Sequence, residues 1–169
     1  MLKEKIEAAL NSQIKSEAQS SQIYLSMASW ADTKGFGGAA QFLYKHSDEE
    51  RMHMLKLVQY VNERGGKALI PQLEEPTRDF VKLTNLFQTL LDHEVKVSGQ
   101  INDMVDICLS EKDYTTHNFL QWYVAEQIEE EALARTIMDK LNMIGEDKGG
   151  LYLFDRDIES IAITTGDQV

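Results

Sequence analysis

The sequence of 169 residues holds one cysteine, two prolines, no apolar run long enough to span a membrane, and far fewer basic than acidic side chains. Each scarcity excludes something. A lone Cys108 has no partner for a disulfide within the chain and cannot form a CxxC metal clip. Pro71 and Pro76 fall in one short stretch, so helical patterns elsewhere run uninterrupted by proline. Seventeen Lys+Arg against 28 Asp+Glu leave a net charge of −11, which argues against nucleic acid or an anionic membrane as partner. Cations are the natural counterpart. Met1–Glu7 alternates charge and apolarity without a signal-peptide core, so a cytoplasmic location is expected. With 43% hydrophobic residues, the composition suits a single domain over residues 1–169.

What is present is helical periodicity. Apolar residues recur at alternating steps of three and four in four segments, Lys5–Lys34, Gly38–Arg64, Lys82–Ser110 and Tyr114–Met143, and none alternates with the period a strand requires. A shorter helix is expected within Gly150–Ala162, followed by a polar tail over residues 163–169. The expectation is an all-α four-helix bundle over about residues 5–143.

The seams carry an internal repeat. Glu17, Glu50 and His53 recur 77 residues later as Glu94, Gln127 and Glu130. All six occupy seam positions where Leu or Ile is expected, and each i, i+3 pair shares one helix face. Measured from turns near Phe36 and Lys112, the six converge at mid-height. The stretch Gly65–Val81 reaches roughly 56 Å when extended, against roughly 42 Å for a 28-residue helix. One connection can therefore cross the bundle, giving the order up, down, down, up.

Four glutamates on dry seams need compensation, because an isolated ionised carboxylate removed from water costs several kcal/mol. The four stripes contain no Lys or Arg. Two divalent cations would cancel the charges of Glu17, Glu50, Glu94 and Glu130. Carboxylates with one imidazole and no thiolate favour iron or manganese, with zinc as a competitor.

These residues carry a family resemblance. Glu17 and Tyr24 in the first segment, Glu49-Glu50-Arg51-Met52-His53 in the second, Glu94 in the third, and Trp122 with Glu126-Gln127-Ile128-Glu129-Glu130 in the fourth resemble the ferritins, and among them the bacterial non-haem ferritins. The resemblance spans Lys5 to about Ala162. It implies that Glu17, Glu50 and His53 hold one iron, and that Glu50 as bridge, Glu94 and Glu130 hold a second, with Gln127 close to dioxygen. Glu49, Glu126 and Glu129, with Glu130, would form a third iron site, and Tyr24 would hydrogen-bond near the centre and donate an electron. It further implies Fe(II) oxidation by dioxygen or hydrogen peroxide, and Fe(III) storage in an octahedral cage of twenty-four copies.

Departures from related families narrow the reading. Arg51 stands where bacterioferritins have a haem-binding methionine, and Gln127-x-x-Glu130 replaces their Glu-x-x-His, so no haem is expected. Bland readings remain beside the sharp ones: a solvated helix face for Glu49 and Glu129, a core aromatic for Tyr24, packing for Trp122, a core or rim histidine for His46, and surface positions for His93 and His117. For the whole chain, a di-iron oxidoreductase without storage and a metal-free helical module with a buried polar network stay open.

Overall fold

The computed structural model describes residues 2–166, with side chains described through residue 160. Among them are five helices and no strand: α1 (Glu4–Thr33), α2 (Gly37–Glu63), α3 (Leu83–Ser110), α4 (Tyr114–Ile144) and α5 (Lys148–Gly166). None is long and apolar enough to cross a membrane. The four long helices lie within one residue of the expected bounds at each end.

The fifth differs. It starts at Lys148 rather than Gly150 and runs past Ala162, so Ile163–Gly166, expected as polar tail, is helical. Residues 167–169 of that expected tail lie outside the described residues. Gly149 and Gly150 are poor helix formers, yet both lie in the first turn of α5. Asp147 overrides them by accepting the Gly150 N–H at 2.5 Å through its side chain and the Leu151 N–H at 2.9 Å through its carbonyl.

Two apolar clusters fix the topology. One joins Ile6–Ile14 of α1, Leu57 and Val61 of α2, Val97–Cys108 of α3, and Leu120 and Tyr123 of α4. The other joins Tyr24–Ala31, Ala39–Leu43, Leu83–Leu90, Leu133–Leu141, and Phe154 with Ile158 of α5. The first half of α1 thus meets the second halves of α2 and α3 and the first half of α4. That arrangement is up, down, down, up, as the seams predicted. Between the clusters lies a polar layer containing Gln13, Glu17, Ser20, Ser21, His46, Ser47, Glu50, His53, Glu94 and Gln127, all buried.

The crossover between α2 and α3 is tied to one face of α1. Asn11 donates its side-chain amide to the Lys67 carbonyl at 3.1 Å and accepts the Leu69 N–H at 2.7 Å; Gln19 repeats the device with both backbone groups of Glu74 at 3.0 and 2.8 Å. Ser26 donates to the Thr77 carbonyl at 2.8 Å. These polar residues of α1 satisfy backbone groups that no helix or sheet supplies.

Helix α5 seals the end of the bundle where α2 begins. Asp155 accepts the Gly38 and Ala39 N–H groups at 3.2 and 2.9 Å, so a residue far along the chain caps α2. The fit needs glycine: a Cβ on Gly38 would stand 1.7 Å from the Asp155 carbonyl oxygen. Gly38→Ala is expected to cost about 1–3 kcal/mol of stability and to hasten proteolysis of α5. Gly37→Ala, whose Cβ meets open space, is the control and should leave both unchanged.

Candidate metal centre

Close approach of α1 and α2 begins with two serines. Ser21 donates to the Ser47 carbonyl and Ser47 to the Ser21 carbonyl, each at 2.7 Å, a reciprocal staple that small side chains permit. One turn along each helix, Glu17 and Glu50 face each other. Donor atoms of Glu17, Glu50 and His53 all lie within 4.8 Å of one another. The three are buried, with Glu17 2% and Glu50 3% exposed.

The α3–α4 side supplies the other half. Glu94, 1% exposed, has both carboxylate oxygens engaged: Tyr24 donates its phenol to Oε1, and Gln127 donates Nε2 to Oε2 at 3.1 Å. Its orientation is fixed from two helices. Gln13 donates to Glu17 at 2.8 Å, and Tyr123 donates to the His53 carbonyl at 2.8 Å. Trp122 stands edge-on to the His53 ring at 5.2 Å between centroids, which makes it packing beside a site residue.

Electrostatics show how the metal-free layer survives. Burial, then the neighbouring Glu50, drives the Glu17 carboxyl well above its usual range. Burial, then Glu94, does the same to Glu50, where Glu130 adds to the effect. Glu94 is pushed up to about 7 by burial and by Glu130, against the lowering influence of its Tyr24 and Gln127 hydrogen bonds. Burial and Glu94 raise Tyr24 well above the ordinary phenol range, which keeps its proton in place for Glu94. Protons therefore do part of what the seam argument assigned to metal alone.

His46 does another part, and it is the satisfied core histidine that was expected, 5% exposed with both ring nitrogens engaged. Its Nε2 meets Glu130 at 3.0 Å and its Nδ1 meets Glu49 at 3.2 Å. Burial by itself would lower this imidazole, but Glu130 and Glu49 outweigh it and push His46 up to about 10. A cation thus sits between two acids. The ligand atoms of His46, Glu49 and Glu130 form a second set within 4.8 Å of one another.

The remaining residues sort as follows. Glu130 and Glu49 are half-buried at the margin of the layer, and Glu126 and Glu129, also half-buried, join neither close cluster among the described residues. Burial raises Glu126, with the charges of Glu129 and Glu130 adding to it, so the three acids share one neighbourhood. His93 is not a free surface residue: Ser20 Oγ lies 2.7 Å from its Nε2, and its ring is edge-on to Tyr24 at 5.8 Å. His117 is half-buried beside Gln121. Sequence reasoning missed Gln13, whose signal was its place four residues before Glu17 on the same face.

A buried layer of carboxylates and two imidazoles at mid-height of an up, down, down, up bundle narrows the possible relatives sharply. Residues 7–144 match the sequence profile of the ferritin-like domain. The chain belongs to the ferritin family. It is 44% identical over 162 residues to a probable bacterial non-haem ferritin-like protein of Haemophilus influenzae, an alignment covering 96% of this chain and 98% of that protein. It is 42% identical over 164 residues to the bacterial non-haem ferritin of Campylobacter jejuni, covering 97% and 98%. Among solved structures, an open-pore ferritin from Archaeoglobus fulgidus superposes with a TM-score of 0.92 at 43% identity, covering 93% of this chain and 96% of that one. Membership in the ferritins accounts for the topology.

Proposed function

We propose that this ferritin oxidises Fe(II) at a paired site inside each bundle and stores the resulting Fe(III) as mineral within a cage of twenty-four copies. The observation that carries this reading is the convergence of Glu17, Glu50 and His53 to within 4.8 Å in a buried layer that Glu94 and Glu130 complete. The donor set fits Fe(II) as substrate. Hard carboxylate oxygens with one borderline imidazole suit iron, and acids too costly to ionise alone become favourable once an ion neutralises them.

In this assignment Glu17, Glu50 and His53 receive one ion, and Glu50, Glu94 and Glu130 the other. Glu50, the carboxylate that feels Glu94 and Glu130 from one side and lies against Glu17 on the other, suits the bridging role. Binding displaces the protons that Glu17, Glu50 and Glu94 hold in the metal-free state. Two Fe(II) then give up two electrons, and with two protons reduce dioxygen to hydrogen peroxide or hydrogen peroxide to two waters. Tyr24, hydrogen-bonded to Glu94, is a redox-active side chain in direct contact with a proposed ligand and supplies a further electron in this scheme. Glu49, Glu126, Glu129 and Glu130 form the proposed third site through which oxidised iron leaves toward the mineral. A strongly acidic chain, of net charge −11, suits a surface that concentrates cations. No haem is part of this scheme, and the proposed location is the cytoplasm.

The test combines mass and metal. Size-exclusion chromatography with light scattering should give a particle of twenty-four subunits, and crystals soaked anaerobically in Fe(II) should show two anomalous peaks between the helices of each bundle. A stable monomer or dimer would remove the storage role. An empty bundle would remove the ferroxidase.

A further inference from the structure

The proposed centre lies between two packed apolar clusters, so a small reactant must reach it through one of the four seams between neighbouring helices. Three of these are closed or charged. The α1–α2 seam is stapled by Ser21 and Ser47, and Tyr24, Ser20 and His93 fill the α1–α3 seam. The α2–α4 seam presents His46, Glu49 and Glu130, and beside them a wider cleft that reaches His53 and Trp122 past the charged Lys45, Asp48, Glu49 and Lys56, a face suited to ions rather than to an uncharged molecule.

The α3–α4 seam differs in shape and chemistry. It holds a half-open cleft of about 120 Å³, enough for roughly four waters at ~30 Å³ each. Ile101, Val124 and Ile128 supply apolar walls, Ser98 and Asn102 neutral polar ones, and Gln127 lies at its inner end. Glu131 is its single acid, and that carboxylate is occupied: Ser98 donates to Oε1 and Arg135 to Oε2 at 2.6 Å. No free charge is left to draw a metal ion. The Gln127 side chain donates to Glu94 Oε2 at 3.1 Å and reaches Ser98 Oγ at 3.4 Å. One amide therefore separates the cleft from a proposed iron ligand.

We propose that the Ser98–Ile128 cleft between α3 and α4 is the port through which a small uncharged oxidant, dioxygen or hydrogen peroxide, reaches the paired site, with the Gln127 side chain as its inner door. Iron and oxidant would then arrive by different faces, iron past the acids of the α2–α4 seam and the oxidant past neutral groups. The inference rests on the ferroxidase reading above. It adds a route that the ligand set alone does not specify.

Two measurements test it. Crystals pressurised with xenon should show a xenon atom in the cleft, against Ile101, Val124 and Ile128. Ile128 is 66% exposed, so Ile128→Trp can narrow the mouth without disturbing the core. That variant should raise KM for the oxidant about tenfold, with the rate at saturating oxidant and anaerobic Fe(II) binding unchanged. Parallel assays with dioxygen and peroxide identify the molecule, since only the one using the port is affected. Ser98→Ala, which removes the door's hydroxyl support without adding bulk to the cleft, should shift the same KM. A cleft without xenon, or an unchanged KM for both oxidants in both variants, overturns the proposal. A wild-type protein that oxidises no iron would instead sink the ferroxidase reading, and the xenon experiment would still report on the cleft.

Discussion

Replacing Glu50 by glutamine is expected to slow the fast Fe(II)-dependent rise in near-ultraviolet absorbance by roughly a hundredfold or more, while leaving the metal-free protein at least as stable as before. Both halves follow from one fact. Glu50 is 3% exposed, lies against Glu17, and feels Glu94 and Glu130, so it is the carboxylate most burdened by like charge. An amide of the same shape keeps the packing and removes a group that burial disfavours as an anion. It also removes the negative charge and the second anionic oxygen that a bridge between two ions needs. The fold does not depend on this layer for its cohesion, because separate apolar clusters lie on either side of it. Stopped-flow absorbance and thermal melting of the metal-free variant measure the two effects. Unchanged oxidation kinetics would remove Glu50 from the proposed centre, and a sharp fall in melting temperature would show the acid to be structural.

That separation also explains why so much was legible in the sequence. Leu10, Ile14, Glu17, Ser21, Tyr24, Ala28 and Ala31 follow one another at steps of three and four as the stripe of the first helix, and all seven are buried. The same steps make Leu83, Phe87, Leu90, Glu94, Val97, Ile101, Met104 and Cys108 the stripe of the third, and all of these are likewise buried. A helical period exposes such seams directly, and polar residues interrupting them at matched heights reveal a layer. Tyr60 and Glu130 are the stripe members that emerge half-buried, the first under Arg64 at the bundle end, the second at the margin of the layer.

What stayed hidden depended on partners distant in the chain. His46 gave no sign that its ring would be shared by Glu49, three residues on, and Glu130, 84 residues on. Nothing in the helical pattern singles out Asn11 and Gln19, yet each clasps the crossover 55–58 residues away. Asp155 capping α2 is a contact across 116–117 residues. Helix α5 runs beyond its expected bounds at both ends, and the Asp147 side chain, accepting the Gly150 N–H, shows why it starts before Gly150. Periodicity encodes which face is buried; it does not encode which polar atom on another element will meet it.

The same buried acids make stability depend on pH in a direction opposite to ordinary acid unfolding. A carboxyl held at about 7 in the folded chain, against an ordinary 4.5, retains its proton longer than it does in the unfolded chain. Its contribution is fully present below 4.5 and is lost as pH rises through 7, a change of roughly 3 kcal/mol for Glu94. Glu17 and Glu50 shift the same way, and His46, held at about 10 against 6.5, loses its contribution over that higher interval. Asp113 and Glu49, which are lowered, act oppositely in the acidic range where they themselves protonate, and His93, lowered by burial to about 4 against 6.5, opposes the trend up to about pH 6.5. The metal-free protein is therefore expected to lose roughly 5 °C or more in Tm between about pH 6.5 and 8.5, above the range in which His93 opposes the trend. Zn(II), which binds the same donors without redox chemistry, should reverse the trend. As pH rises it competes with fewer protons, and at a hundred times its Kd it adds about 2.7 kcal/mol. Proton release on Zn(II) addition, followed with an indicator dye, should accordingly be larger at pH 6 than at pH 8. A Tm of the metal-free protein that rises across this interval, or a release independent of pH, would mean that these carboxylates are ionised and compensated by something other than protons.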